Sequence, residues 1–299
     1  MSMSMPDRLA HLAARLDEEV FQRIELSTPA AFLVGAARSA ASALRAQIRE
    51  ELAGKPRITG FDVYYPEDLF EELLRGGEKG ADLLELENLL AENVHAIVIV
   101  LESEGAIAEF GAFANHERLR DRLIVVVNSK YRRARSFIML GPVSYLRRKT
   151  TSKIIYHDFK RPDLRKLGED VRGAVRKVSK GVVVDTSVRN PVAAQHYLRA
   201  AVHVLHPVSQ AGLQSLIQRA AGGTPEQANR IVSTSLSILY REGEVALSAE
   251  GYSLTEAGRH RLGRMLQLER QGRAMTRSLD RARIDVLTWR LRHPQKLTA

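Results

Sequence analysis

The sequence predicts an α/β fold with a doubly wound, Rossmann-like parallel sheet, followed by a small winged helix-turn-helix domain. Two observations support this prediction. Up to Pro191, short β-branched runs alternate with helical patterns, as strands and covering helices do in a parallel sheet. Beyond it the order becomes helix, helix, turn, helix, two short strands and helix, which is that of a winged helix. We therefore expect domains at residues 1–190 and 191–272 and a basic tail at 273–299.

Hydrophobic periodicity assigns the elements of the first domain. Apolar residues at helical spacing predict an opening helix within residues 7–26. Further helices are predicted at 39–53, 83–94 and 162–180. Five apolar runs predict the strands, namely Ala31–Val34, the stretch ITGFDVYY, Ala96–Leu101, Leu123–Asn128 and Lys153–Tyr156. The carboxyl ends of such strands form a ligand-binding cleft where the strand order reverses.

The second domain shows the turn and capping residues that a winged helix needs. Its third helix has Pro225 in its first turn, and Thr255 stands where a cap begins the closing helix. The stretch VALSAEGYSLT between them predicts two short strands around a Glu-Gly turn. The alternative is a small helical interaction domain that does not contact nucleic acid.

The net charge of +10 is distributed unevenly along the 299 residues. Residues 1–129 hold 13 Lys/Arg against 22 Asp/Glu, residues 130–189 hold 17 against 5, and residues 190–299 hold 15 against 8. The two basic segments indicate a nucleic-acid partner, the alternative being a solvated basic surface.

Composition excludes several classes of protein. The chain has no cysteine, so disulfide frameworks and zinc–thiolate sites are excluded. No apolar run approaches the roughly 20 residues of a membrane helix, and we expect a cytoplasmic protein without a membrane partner. His95, His203 and His206 lack metal-ligand spacing with acids, so we expect neither a metal nor a cofactor.

Three carboxylates follow the third predicted strand within eight positions. Glu102 and Glu104 stand at the strand exit, and Glu109 is expected near the first turn of the next helix, where a helix N-terminus favours the ionised acid by about 0.3–1 kcal/mol. An ionised carboxylate in a cleft can attack an anomeric carbon or stabilise an oxocarbenium ion. The alternative for Glu109 is a surface acid that only favours the helix start.

Several ordered motifs resemble a known family. The stretches FLVGAARS, VYYPEDLF, LELENLLAENVHAIVIVLESEGAIAEFGAFAN and SFIMLGPV together resemble retron effector proteins that join a nucleoside 2-deoxyribosyltransferase-like domain to a winged helix. The most specific element is the pattern E-S-x-G-x-x-x-E-x-G-A-F from Glu102 to Phe113. The resemblance covers the whole predicted architecture.

The resemblance implies a set of catalytic residues. The family's nucleophile is the glutamate of an E-[FILM]-G element, which corresponds to Glu109. An upstream acid that contacts the base corresponds to Glu87, and another pocket acid to Glu102 or Glu104. Ser103 stands where the transferases carry a second aspartate, and this departure weakens the case for deoxynucleoside exchange while leaving N-glycosidic cleavage as the implied chemistry.

The expected substrate is a phosphorylated ribosyl compound such as a nucleotide or NAD. Arg38, which the transferases do not share, can pair with a phosphate in a bidentate manner. Tyr65 is either a base-stacking residue at a strand end or a core aromatic. The expected substrate-binding residues are Gly35, Arg38, Tyr65, Glu104, Gly105 and Asn128.

Two functions follow as hypotheses. The resemblance implies an antiphage-defence effector, a toxin held in check by a retron reverse transcriptase and its RNA–DNA product, and a homodimer or larger assembly. The alternative is a winged-helix regulator that senses a nucleotide without cleaving it. In either case the expected nucleic-acid-binding residues are Gln227, Asn229, Arg230, Arg259 and Arg261.

Overall fold

The computed structural model of the protein describes residues 5–22, 29–36, 43–53, 61–65, 91, 93–268 and 272–292. These residues form two compact units. One contains the described residues between 29 and 184, and the other contains residues 5–22 together with those from 185 to 292. No helix in these described ranges is both long and apolar enough to cross a membrane.

The first unit is built on a five-stranded sheet in which every neighbouring pair is parallel. The strand order is β2-β1-β3-β4-β5, so the predicted parallel α/β sheet is confirmed. All five predicted strands are present. Their bounds are β1 Ala30–Val34, β2 Asp62–Tyr64, β3 Ala96–Val100, β4 Leu123–Asn128 and β5 Lys153–His157.

Helices cover the two faces of this sheet. A core of alternate strand residues packs against α2 (Ala43–Ala53) and α6 (Leu164–Ser179) on one face. The chain moves from β3 to β5 in the opposite direction to its step from β1 to β2. Right-handed crossovers therefore place α3 (Glu104–Asn115) and α5 (Pro142–Lys149) on the other face. The short α4 (Phe137–Leu140) precedes α5.

The described strands β1, β3 and β4 are buried along their whole length. Continuous Val and Ile runs suit strands that are covered on both faces, which explains why their sequences do not alternate with polar residues. The edge strand β5 is only partly buried. The helix predicted at 83–94 lies almost entirely outside the described residues.

The second unit contains helices and one antiparallel hairpin. Strands β6 (Val245–Ser248) and β7 (Gly251–Leu254) form the hairpin. The helices pack around a shared apolar core. Their bounds are α1 Met5–Leu16, α7 Pro191–Leu205, α8 Gln210–Ala221, α9 Pro225–Arg241, α10 Glu256–Leu268 and α11 Gly272–Arg292.

A buried ion pair fixes the hairpin to the helical core. Arg199, on α7, places its Nε 2.6 Å from Oε2 of Glu244, which directly precedes β6. Its guanidinium also contacts Nδ1 of His196 at 3.2 Å. Removing one partner of such a pair leaves an uncompensated buried charge, which strongly destabilises the fold.

Two parts of the chain differ from the expected domain organisation. The opening helix α1 was grouped with the sheet, but it packs against α8 in the second unit. The segment expected as a basic tail forms α11 through Arg292. Met275, Leu279 and Trp289 recur on one face of α11 and are buried, so this segment is part of the core despite its many arginines.

Candidate functional site

The candidate site lies where the strand order of the sheet reverses. Chains leaving the carboxyl ends of β1 and β3 turn to opposite faces, and open α/β sheets bind ligands in the crevice that this creates. Glu102 follows β3 at this point, and its Oε1 accepts a hydrogen bond of 3.3 Å from the backbone N–H of Ala36, after β1. The predicted acid therefore stands directly beside the backbone that follows β1 at Gly35 and Ala36.

The loop after β1 approaches its neighbours closely at Gly35. A Cβ atom at this position would lie 2.6 Å from Cδ of Arg45 and 3.2 Å from Oε1 of Glu102. The first distance is shorter than real Cβ contacts allow. Gly35 is therefore required because of the close approach of these two side chains, and its predicted place at the site is consistent with this geometry.

Arg45 is a part of the site that the sequence reasoning missed. This residue of α2 is only 4% exposed. Its guanidinium donates to the carbonyl oxygen of Leu33 at 3.1 Å and to that of Ala36. Arg45 thus holds the backbone on both sides of Gly35 in place. Its sequence signal is weak, since an arginine beside the apolar spacing of Leu44 and Ile48 usually points to solvent.

Tyr65, expected to contact substrate, is instead part of the core. Its side chain belongs to the apolar cluster on the α2 face of the sheet and is 6% exposed. The guanidinium carbons of Arg45 and Arg49 lie 4.4 and 4.8 Å from its ring centre. The tyrosine therefore supports Arg45 through cation–π contacts, which agrees with the core alternative.

Helix α3 begins directly after Glu102. Ser103 is its N-cap and accepts a 3.2 Å hydrogen bond from the backbone N–H of Ala106. The Ser103 side chain therefore stabilises the start of α3. Glu104, the first residue of the helix, is exposed, and a Cβ at Gly105 would meet no atom within 4 Å.

Glu109 occupies a different helical position from the one expected. It is the sixth residue of α3, in the second turn, and not in the first. The helix dipole acts mainly within the first turn, so its contribution to ionisation here is smaller than anticipated. The side chain is half-buried, and its Oε2 is buried. Small exposed residues at Gly105, Ala108 and Gly111 leave the outer surface of α3 open.

Asn128 ends β4 at the same edge of the sheet. Its Oδ1 accepts a 3.2 Å hydrogen bond from the backbone N–H of Lys130, so part of its amide is used locally as a cap. Its register partner on β5 is His157. The Nε2 of His157 is buried without a hydrogen-bond partner among the described residues, a feature that no sequence motif indicated.

Two predicted site residues lie outside the described residues, namely Arg38 and Glu87. Among the described residues, the candidate site therefore contains Gly35, Arg45 and Glu102 at the reversal point, and the candidate Glu109 lies on the helix that follows Glu102. In the described ranges no group of three or more His, Asp or Glu side chains is placed to hold a metal ion.

The predicted nucleic-acid-binding residues lie in the second unit, and two of them are engaged locally. Gln227 completes a capping box at the start of α9, because its Oε1 accepts from the backbone N–H of Thr224 at 3.1 Å. The Oδ1 of Asn229 accepts from Gln214 Nε2 at 2.5 Å and from Gln210 Nε2 at 3.4 Å. Both amides are exposed, but their orientations are fixed by these contacts.

The three predicted arginines lie on α9 and α10. Arg230 on α9 is exposed. On α10, Arg259 is exposed and Arg261 is half-buried. Arg259 donates to the carbonyl oxygen of Leu254 at 2.7 Å and so also fixes the end of β7.

The fold and site define a class of protein with an acidic site at the reversal point of a parallel sheet, joined to a basic helical unit. Comparison with known proteins identifies the family. The family model described as "STM3845 retron effector protein" matches residues 41–246. The chain therefore belongs to this family of retron effectors, and the resemblance seen in the sequence is confirmed.

Two relatives carry more specific names. The "Retron Ec86 putative ribosyltransferase/DNA-binding protein" of Escherichia coli is 29% identical over 269 residues, which cover 86% of this chain and 84% of that protein. The protein of the same description from retron Ec73 of Escherichia coli is 41% identical over 81 residues, or 27% of this chain and 26% of that protein. Both names refer to ribosyl transfer and to DNA binding by those relatives.

Proposed function

We propose that the α/β unit cleaves the N-glycosidic bond of a nucleotide such as NAD, and that this activity is the toxic output of a retron defence system. The observation that carries the proposal is the position of Glu102 at the reversal point of the sheet, where it contacts the loop after β1 and is followed by the helix that carries Glu109. Carboxylates at such a crevice suit chemistry at an anomeric carbon. The ribosyltransferase names of the two relatives support the same reaction class.

The proposed reaction has two steps. The carboxylate of Glu109 attacks the anomeric carbon, and the bond from that carbon to the base nitrogen breaks with both bonding electrons going to the base. Nicotinamide of NAD leaves as a neutral molecule without a proton, whereas a purine or pyrimidine base takes up one proton from solvent, which the water of the second step replaces. In the role implied by the family resemblance, Glu87 contacts the departing base. Water then displaces Glu109 from the anomeric carbon, so that one nucleotide and one water yield a free base and a ribosyl product.

Glu102 positions the ribosyl group in this proposal. Its Oε1 is anchored on the N–H of Ala36, so its second oxygen remains in a defined direction. Arg45 keeps the loop backbone on both sides of Gly35 in place. A phosphate of the substrate is bound by Arg38, which is why a phosphorylated substrate is favoured over a nucleoside.

We further propose that the second unit is a winged helix-turn-helix that binds nucleic acid mainly through the backbone. Helices α8 and α9 pack together before the β6–β7 hairpin, which is the expected element order. Because Gln227 and Asn229 are engaged in local hydrogen bonds, few side chains remain for reading bases.

The proposed partners are the retron reverse transcriptase and its RNA–DNA product, which restrain the toxin. The protein is also proposed to assemble as a homodimer or larger oligomer.

A nucleotide-sensing regulator is the second candidate, because the relatives' names also include DNA binding. A sensor needs only the shape of the cleft, whereas an enzyme needs the carboxylate of Glu109. The two candidates therefore differ in whether a base is released.

The first experiment incubates the purified full-length protein separately with NAD, with nucleotides and with deoxynucleosides. Chromatography of the products measures the free base. The proposal predicts base release from a phosphorylated ribosyl compound. If all three classes of compound bind the protein and stay intact, the proposed enzyme is wrong and the nucleotide-sensing regulator is favoured.

The second experiment titrates the full-length protein with branched RNA–DNA product and with random duplex across a salt series. Each phosphate contact on duplex DNA adds about 0.9 to the slope of log affinity against log salt. Neutralising Arg230 and Arg261 together is expected to flatten this slope by roughly two. The regulator instead predicts tight binding to one duplex sequence, no binding to the branched product, and loss of sequence discrimination on changing Gln227 or Asn229.

A further inference from the structure

The segment after β4 carries an unusual concentration of positive charge. Residues 130–149 contain seven Lys or Arg and no Asp or Glu, with four cations at 130–135 and three at 147–149. All seven are exposed. None of them forms an ion pair with another described residue. The charge is therefore directed to solvent and is not neutralised within the described chain.

Large apolar and aromatic side chains are exposed among these cations. Phe137 is 84% exposed, Leu140 60% and Tyr131 47%. Tyr145 on α5 is also exposed. Soluble proteins expose single apolar residues routinely, but Phe137 and Leu140 occupy one short helix between two groups of cations. The segment thus combines apolar faces with unneutralised charge.

The backbone of this segment is anchored on the core of the α/β unit. Met139, Val143 and Leu146 are buried beneath it. Helix α5 contacts both α3 and β5. The side chain of Asn128 caps the first turn of the segment. The core therefore holds one side of the segment, and its cations and aromatic rings face outward.

The cations and the rings lie close to one another. The Nζ of Lys130 is 4.5 Å from the ring centre of Tyr131. The guanidinium carbon of Arg132 is 5.3 Å from the ring centre of Tyr156 on β5. A single strand exposes phosphates and unpaired bases along its whole length. Proteins that bind single strands use cations to contact the phosphates and aromatic rings to stack on the bases.

We propose that residues 130–149 of the α/β unit form a binding surface for single-stranded nucleic acid. The unneutralised cations contact phosphates, and Phe137 and Tyr131 stack on unpaired bases. Duplex DNA pairs and buries its bases, so the exposed rings favour a single strand. This surface is separate from the winged helix-turn-helix proposed above and does not depend on base cleavage by Glu109.

The charge part of the proposal is tested with the full-length protein and a fluorescently labelled thirty-residue oligo-dT. Binding is measured by anisotropy across a salt series. The triple variant Arg132→Ala, Arg133→Ala, Arg135→Ala is compared with Lys166→Ala, Arg176→Ala, Lys177→Ala, which removes the same charge from exposed positions of α6. Each single-strand phosphate contact contributes about 0.7 to the salt slope. We expect the first triple to flatten the slope by about two and the second to leave it unchanged.

The stacking part is tested with Phe137→Ala, and Val183→Ala is the control because Val183 is also highly exposed in the same unit. Loss of one stacked base weakens binding by about 5- to 150-fold. We expect that loss for Phe137→Ala on oligo-dT, a smaller effect on a duplex of equal length, and none for Val183→Ala.

Three results would overturn the proposal. The two triple variants could show the same salt slope, Phe137→Ala could bind oligo-dT as tightly as Val183→Ala does, or the duplex could depend on Phe137 as strongly as oligo-dT. Circular dichroism of each variant establishes that it is folded. Base release is assayed on the same preparations, so a failure of this surface is distinguishable from a failure of the proposed activity.

Discussion

Gly35 determines how closely the loop after β1 can approach Glu102. Because Arg45 is buried and hydrogen-bonded to backbone carbonyls, it cannot move away from a Cβ placed 2.6 Å from its Cδ. We expect Gly35→Ala to destabilise the α/β unit by about 1–3 kcal/mol. It should also lower base release by displacing Glu102.

Gly173→Ala is the matched control for this change. Gly173 lies within α6, where a Cβ would meet no atom within 4 Å. Replacing a glycine in a helix interior by alanine stabilises the helix by up to about 1 kcal/mol. Urea unfolding compares the two variants, and equal stability of both would contradict the close approach described at Gly35.

His95 makes the stability of the α/β unit depend on pH. Its Nδ1 accepts a 3.1 Å hydrogen bond from the backbone N–H of Ala30, which requires an unprotonated nitrogen. Burial, and secondarily the charge of Arg122, lowers the pKa of His95 below its usual 6.5. The unfolded chain therefore takes up the proton first as pH falls, and the folded state loses stability below about pH 6.5.

The variant His95→Asn tests this pH dependence. The Oδ1 of asparagine can accept the same hydrogen bond and does not titrate. We expect the free energy of unfolding to fall less between pH 7 and pH 5 for His95→Asn than for the unsubstituted protein. Urea unfolding at the two pH values measures this, and an identical fall in both proteins would show that His95 is not responsible.

At the residue scale, the sequence indicated that Glu102 follows a strand at the candidate site, but it did not indicate the arginine that supports the neighbouring loop. Glu102 was recognisable because it directly follows a buried strand, and the ends of neighbouring strands meet at one edge of a sheet. Arg45 was not, because its partners are two backbone carbonyls that only the folded loop brings together. Glu109 was placed one turn too early, because the start of α3 is set by the cap at Ser103.

At the element scale, the start of α9 depends on its capping box. The Thr224 side chain accepts from the N–H of Gln227, and Gln227 accepts in return from Thr224. We expect Thr224→Ala to destabilise the second unit by about 1 kcal/mol, or a few degrees in melting temperature.

Ser136→Ala is the control for that prediction. Ser136 precedes α4 as an N-cap, but its side chain makes no capping hydrogen bond. Its replacement should leave the melting temperature unchanged. If both variants melt at the temperature of the unsubstituted protein, the capping box contributes nothing measurable to stability.

Whole elements were predictable where local pattern decides them. The five strands are short apolar runs, and all five are present. The partners of helices were not predictable in the same way. The periodicity of α1 gives its apolar face without saying which unit covers that face, and the many arginines of α11 concealed the regular spacing of its buried residues.

At the scale of the whole molecule, the proposed function predicts a toxic protein that its retron restrains. Expression without the reverse transcriptase and its RNA–DNA product should stop growth, because an essential nucleotide is consumed. Expression of Glu109→Gln at the same level should allow growth. Growth curves with immunoblots of both proteins measure this, and equal toxicity would instead indicate nucleic-acid binding or aggregation as the cause.

The most direct test of the central claim compares the rate of base release by Glu109→Gln and by Glu104→Gln. Both substitutions remove one carboxylate from α3, but Glu104 is exposed at the helix start, whereas Glu109 has a buried carboxylate oxygen. A nucleophile is essential to covalent catalysis, so we expect Glu109→Gln to lose at least about a thousandfold in rate. Glu104 was expected to bind substrate, but its side chain is exposed at the helix start, so we expect Glu104→Gln to retain most activity, with both variants folded. Base release by Glu109→Gln at the rate of the unsubstituted protein would contradict the proposed role of Glu109.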